Sequence, residues 1–116
     1  MRDVIFFKTD AGRSPVEEFL DTLSPKQALK VAWVINLLED MDVVPTQFFQ
    51  KMKSTEDLWE IRVKVGNDIF RFLGFFDGPK LVVLSHAFQK KTQKTPRQAI
   101  QLAEERKRTY FRRKKK

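Results

Sequence analysis

Apolar positions along the chain change period several times, and each change marks a new element. Val4 to Lys8 (VIFFK) is a short apolar run rich in β-formers and predicts a strand. Ser14-Pro15 opens a helix: the serine can cap it, the proline suits the first helical position, and Glu17 supplies a capping box. Its apolar side is Val16, Phe19, Leu20 and Leu23. Ser24-Pro25 repeats the device and starts a longer helix to about Met41, with Leu29, Val31, Ala32, Ile35, Leu38 and Met41 at helical spacing. So short a connection makes the two an αα-hairpin that covers the core.

Residues 42–55 show no period, contain the breaker Pro45, and read as irregular. From Leu58 the period becomes two: Trp59, Ile61, Val63 and Val65 take one face, and Glu60, Arg62 and Lys64 the other. Gly66-Asn67-Asp68 is a hairpin turn into IFRFLGFF, which is aromatic on both faces. Asp77-Gly78-Pro79 turns the chain into a further strand, LVVLSHAF. Thr95-Pro96 then predicts a helix start, with Gln98 as capping-box partner and a narrow apolar stripe of Ala99, Ile100, Leu102, Ala103 and Tyr110. The closing KRTYFRRKKK carries too much like charge to pack and is expected to fray from about residue 107. The fold class is α+β, one domain over residues 1–116: an N-terminal strand and an αα-hairpin packed on an antiparallel sheet, with a basic C-terminal helix.

Composition narrows the chemistry. The chain has no cysteine, so disulfides and thiolate metal sites are excluded, which fits a reducing cytoplasm. His86 is the single histidine, too few for a structural zinc site or a two-histidine active site. No apolar run approaches the ~18 residues of a membrane helix and no secretory leader opens the chain, so a soluble cytoplasmic protein without membrane contact is expected. The net charge of +8 is skewed. Twelve Lys/Arg against two Glu lie from Gln89 onward, and eleven Lys/Arg against thirteen Asp/Glu before it. That imbalance predicts an anionic partner such as RNA, DNA, a ribosome or an acidic protein segment.

The run from Leu81 to Pro96 concentrates this charge, because an apolar strand ends in Lys90, Lys91 and Lys94 at the rim of a sheet. Arg62 and Arg71 lie on hairpin-linked strands, where side chains on one face can converge, and Glu60 and Lys64 share the face of Arg62. Arginine suits a phosphate because its planar fork makes two hydrogen bonds and keeps its charge. The same spacing equally allows Arg62 to pair with Glu60 or another carboxylate. Arg71 sits in a strand that is otherwise nearly all apolar, which is costly unless it faces solvent or a partner. His86 reads as a hydrogen-bonded structural residue or as a catalyst. Phe88, two residues on, reads as core or as a platform for a base, and Tyr110 as an anchor for the last helix. Lys51 and Lys53 add cations in the irregular segment. No P-loop, nucleophile elbow, dinucleotide fingerprint or acidic metal cluster is present, and no metal or cofactor is expected.

LWEIRV, the following FRF, and HAFQKKTQKTP, in this order of elements, resemble the phage Gp49-like/HigB branch of the RelE/ParE toxin superfamily. The most specific part is FxKKTxKTP, Phe88 to Pro96, before a helix. The resemblance covers nearly the whole chain. It implies a RelE-like fold, a small toxin that is a monomer when free, and a helix-turn-helix antitoxin as partner. In the message-cleaving members it implies endonuclease action on mRNA in the ribosomal A site. By position, Arg62 matches a basic residue on the strand lining the site, Arg71 the arginine that contacts the scissile phosphate, and Lys90 and Lys91 the basic residues after the last long strand. Lys64, Phe88, Lys94, Lys51 and Lys53 then fall to RNA binding. Several relatives have a tyrosine or histidine near the C-terminal side of the site, and Tyr110 lies too far along the last helix to match.

Metal-independent RNA cleavage needs a base for the 2′-hydroxyl, positive charge on the pentacovalent phosphate, and an acid for the leaving 5′-oxygen. Arginine and lysine supply the second. For proton transfer the candidates are Glu60, His86, or a lysine whose pKa is lowered by neighbouring cations. Two readings follow: a ribosome-dependent mRNA endoribonuclease toxin that inhibits translation, or a non-catalytic protein, either a phage-derived nucleic-acid binder or a ParE-like toxin directed at gyrase.

Overall fold

Two serine-proline pairs start the first two helices, as their spacing predicts. In the computed structural model, which describes residues 1–90 and 95–115, helix α1 is Pro15–Leu20 and helix α2 is Pro25–Asp40. The Ser14 hydroxyl accepts from the Glu17 amide at 3.3 Å. Ser24 and Gln27 form a reciprocal capping box, so two otherwise orphaned amides of the first turn are satisfied.

The sheet has five strands, β1 (Asp3–Phe6), β2 (Phe49–Lys51), β3 (Trp59–Val65), β4 (Asp68–Asp77) and β5 (Leu81–Lys90), in the order β1-β5-β4-β3-β2. β2 through β5 pair antiparallel, whereas β1 lies parallel to β5, so the sheet is mixed rather than antiparallel throughout. β2 falls inside the stretch read as irregular, because three residues on a sheet edge are too few to show a period. The β3–β4 turn places Gly66 at a φ of 59°, in the left-handed region that glycine adopts without strain.

One face of the sheet carries α1 and α2. Val31, Val34 and Leu38 of α2 and Val16 of α1 pack on Ile61, Val63, Phe70, Phe72, Val82 and Leu84. Fully burying each such aliphatic side chain is worth about 1.5–3 kcal/mol. Leu29, at a core position by helical period, is 73% exposed, and Trp33 is 48% exposed.

The other face carries helix α3, Arg97–Lys114. Ala99 and Ala103 pack on Leu58 and Leu73, and Tyr110 and Phe111 pack on Phe7, Phe75 and Val83. α3 begins after Pro96 without a side-chain cap, so Thr95 does not play the capping role its sequence suggests. The expected fraying from residue 107 is also corrected, since the helix continues to Lys114. The cations of its last turns have partners in the acidic body of the chain. Arg108 pairs with Glu56, Arg113 with Asp10, and Lys114 with Asp77 at 2.6 Å. Tyr110 donates to Asp77 at 2.7 Å, and burial together with that carboxylate raises its pKa to about 12. Tyr110 is the helix anchor.

Candidate functional site

The face shared with α3 is only partly covered, and its composition is decided by one irregularity. Between β4 and β5 the register runs Leu73 to His86 but Gly74 to Leu84, leaving Ser85 as an extra, bulged residue. Before the bulge, Val82 and Leu84 face α1 and α2; after it, Ala87 does, three positions from Leu84. The bulge therefore turns His86, Phe88 and Lys90 onto the face of Arg71. Gly74 permits this crossing, because a Cβ there would stand 2.4 Å from the Val83 carbonyl oxygen. α3 pins the bulge: Arg106 donates to the Ser85 carbonyl at 2.6 Å, and the Ser85 hydroxyl donates to the Leu73 carbonyl at 3.3 Å.

Three rows of residues result on this face. Arg62, Arg71 and Phe88 lie abreast, with Glu60, Leu73 and His86 on one side and Lys64, Ile69 and Lys90 on the other. Adjacent strands are about 4.8 Å apart and successive rows about 6.6 Å, so the cations share a patch of a few nucleotides' width. Glu60, 2% exposed, and Arg71, 8% exposed, form a buried ion pair through Arg71 Nη1 and Glu60 Oε2. The Thr95 hydroxyl completes the cluster, 3.4 Å from Arg71 Nη1 and 3.5 Å from Glu60 Oε2. Arg71 Nε is buried with no hydrogen-bond partner among the described residues. Glu60 thus pairs with Arg71, and Arg62 is left exposed.

Lys90 is half-buried beside these groups. Its pKa is lowered from the ordinary lysine value by burial and by Arg71 and Arg62, with Glu60 opposing the shift. Of the proton-transfer candidates, the lysine with cationic neighbours is therefore Lys90. His86 stacks on Phe88 with ring centroids 5.6 Å apart. Burial and the charge of Arg106 push its pKa down to about 4, so at neutral pH it is an uncharged ring and not an imidazolium acid. The stacked pair lines an open groove of about 430 Å³ against Pro96, Gln98, Ala99 and Leu102 at the start of α3.

The other sequence-predicted residues lie differently. Lys51 is opposite Trp59 in register, one position off the Gln50–Glu60 row, and pairs with Asp57 at 3.0 Å. Lys53 is exposed beyond the end of β2. Lys91 and Lys94 lie outside the described residues. Of the paired cations at the end of α3, Lys114 meets Asp77, six positions along β4 from Arg71 and so about 20 Å away. Among the described residues no group of three or more acidic or histidine side chains converges to hold a metal ion, and no helix is long and apolar enough to cross a membrane.

Residues 18–108 match the family model of the phage derived protein Gp49-like. The chain belongs to the Gp49-like family. That match runs from the second half of α1 to within α3 and includes every residue of the three rows. A comparison with curated proteins found no match. Two features of this Gp49-like site escaped the sequence reading. Thr95 looked like a helix cap, and Gly74 was one small residue within an apolar run. The only signal for either was the FLGFF interruption and the position of Thr95 two residues before α3.

Proposed function

We propose that this Gp49-like protein is the toxin of a type II toxin–antitoxin pair, with a RelE/HigB-like fold, and that it cleaves mRNA on the ribosome without a metal and so inhibits translation. The observation that carries the proposal is the convergence of Arg62, Arg71 and Lys90 on one sheet face beside a groove walled by His86 and Phe88. Membership of a phage-derived family supports the toxin reading.

The division of labour follows from exposure. Arg62 offers its exposed fork to phosphate oxygens, where negative charge develops in the transition state. Arg71 stands behind it, fixed by Glu60 and Thr95, and adds positive charge beneath the phosphate. Lys90, with its lowered pKa, is suited to protonate the leaving 5′-oxygen, while the attacking 2′-hydroxyl gives its proton to solvent. Phe88, stacked on neutral His86, offers a ring face to a base. The ribosome would supply part of the alignment of the 2′-hydroxyl. The partners are a helix-turn-helix antitoxin and translated messages, and the free toxin is a cytoplasmic monomer.

One observation favours the second reading, a non-catalytic nucleic-acid binder or a gyrase-directed toxin. Glu60 is buried against Arg71 and His86 is held neutral, so among the described residues neither proton-transfer candidate offers a free carboxylate or an imidazolium to the patch. Primer extension on cellular messages after brief induction separates the two. Fresh 5′ ends within translated codons support cleavage, whereas intact messages with arrested replication support the gyrase-directed alternative.

A further inference from the structure

Arg62 borders a second feature on the far edge of β3. β2 covers that edge only from Trp59 to Ile61, and the Phe48 carbonyl accepts from the Arg62 amide at 2.8 Å. Beyond this point lies an open groove of about 480 Å³ lined by Lys30, Gln47, Phe48, Arg62, Lys64 and Gly66. A contiguous groove of about 630 Å³ shares Lys30, Lys64 and Gly66 and continues past Lys26 and Leu29. Among the described residues, four cations and no carboxylate line the two. Trp33 stands beside them, 48% exposed, edge-to-face with Phe48 at 5.7 Å, with Lys30 Nζ 4.5 Å from its ring centroid.

Cations along a groove with an exposed ring beside them are what single-stranded nucleic acid uses: the cations meet the backbone and the ring face meets a base. Continuity favours this occupant over an acidic protein segment. Arg62 serves both the groove and the Arg71 row, and an RNA held at that row leaves the sheet over one of its edges. This edge carries Lys64 directly in line, two positions from Arg62 on the same face of β3.

We propose that the groove is a subsite for single-stranded RNA, holding nucleotides next to those at the Arg62–Arg71–Lys90 patch by phosphate contacts to Lys26, Lys30 and Lys64 and by base stacking on Trp33. The inference rests on the RNA-directed reading above. It assigns to α2 a substrate contact in addition to its role as core cover.

The test titrates a fluorescent 12-mer oligouridylate at several salt concentrations against wild type, Lys26→Glu/Lys30→Glu and Trp33→Leu. Lys26 lies in the first turn of α2, where the helix dipole favours a carboxylate, and neither lysine belongs to the buried core, so the double variant should fold, which thermal melting checks. The double variant is expected to lose at least about 10-fold in affinity and about 1.4 in the slope of log affinity against log salt, two phosphate contacts' worth. Trp33→Leu is expected to lose about 5-fold or more, together with the tryptophan quenching that wild type shows on binding. Trp59, stacked on Phe49 and packed against the core, should not report. Wild-type affinity and slope in both variants would overturn the subsite and leave the RNA-directed reading standing. If the double variant instead lost only the binding of a glutamate-rich helical peptide, the groove would belong to a protein partner and the proposal would be overturned. A wild-type protein that binds no RNA at any salt would overturn both readings together.

Discussion

Glu60 and Arg71 form a buried ion pair from adjacent strands, while Arg62, directly opposite Arg71 in register, stays exposed. Two arginines abreast repel each other unless a carboxylate takes up one of them. Glu60 takes up the inner one, and the outer guanidinium is exposed at the surface.

Arg71 is therefore both structure and site. Arg71→Ala strands the Glu60 carboxylate in the sheet and should cost about 3–5 kcal/mol of stability. Glu60→Leu combined with Arg71→Met, which replaces the pair by apolar groups, should regain most of that loss in urea melts and still lack cleavage. An Arg71→Ala protein as stable as wild type would contradict the burial of the pair. Arg71→Lys should recover little, because a point charge cannot reproduce the fork.

Lys90 should be readable from a pH–rate profile. A proton donor is protonated below its pKa, so cleavage should fall as pH rises through a pKa lower than lysine's ordinary 10.5. Arg62→Ala removes one of the cations that depress it, and the falling limb should then move to higher pH on top of the lower rate. Lys90→Arg should remove the limb. A limb unmoved in Arg62→Ala would argue against this role.

His86 predicts a stability change in mild acid. Its folded pKa of about 4 lies below the ordinary 6.5, so the unfolded chain binds more protons between those values. Stability should be full above about pH 6.5 and decline as pH falls toward 4, by no more than about 1.4 kcal/mol per pH unit. His86→Gln should flatten that window. Asp77, whose pKa is lowered by Lys114 and Tyr110, loses its contribution below about pH 5, so the upper part of the window reports His86.

Gly74→Ala tests the bulge. Its Cβ would meet the Val83 carbonyl, a backbone atom that cannot rotate away. A loss of about 1–3 kcal/mol is expected from overpacking, and cleavage should fall further than stability does, because Phe88 and Lys90 depend on the shifted register. Equal melting temperatures for Gly74→Ala and wild type would show that the strands relax freely.

Much of the fold was legible because periods are local. Ser14-Pro15, Ser24-Pro25 and the alternation from Trp59 to Val65 each mark their element within a few residues. Pairing is not local: nothing in VIFFK says that it joins β5 in parallel. The face of Glu60 followed from the period, but its depth did not, because alternation assigns a side and says nothing of what covers it. The bulge at Ser85 was invisible for the same reason, and with it the reason why Phe88 and Lys90 share a face with Arg71. The charge skew after Gln89 was real but misleading in part, since Arg108, Arg113 and Lys114 spend their charge on Glu56, Asp10 and Asp77.

The most direct test of the central claim is single-turnover cleavage of messages on programmed ribosomes by wild type and Arg62→Ala, with thermal melting as control. Arg62 is exposed and outside the buried pair, so its loss should leave the melting temperature within a degree or two of wild type. The account predicts cleavage within codons by wild type and a rate about 100-fold lower in Arg62→Ala. Cleavage at the wild-type rate by Arg62→Ala, or intact messages with the wild-type protein, would contradict it.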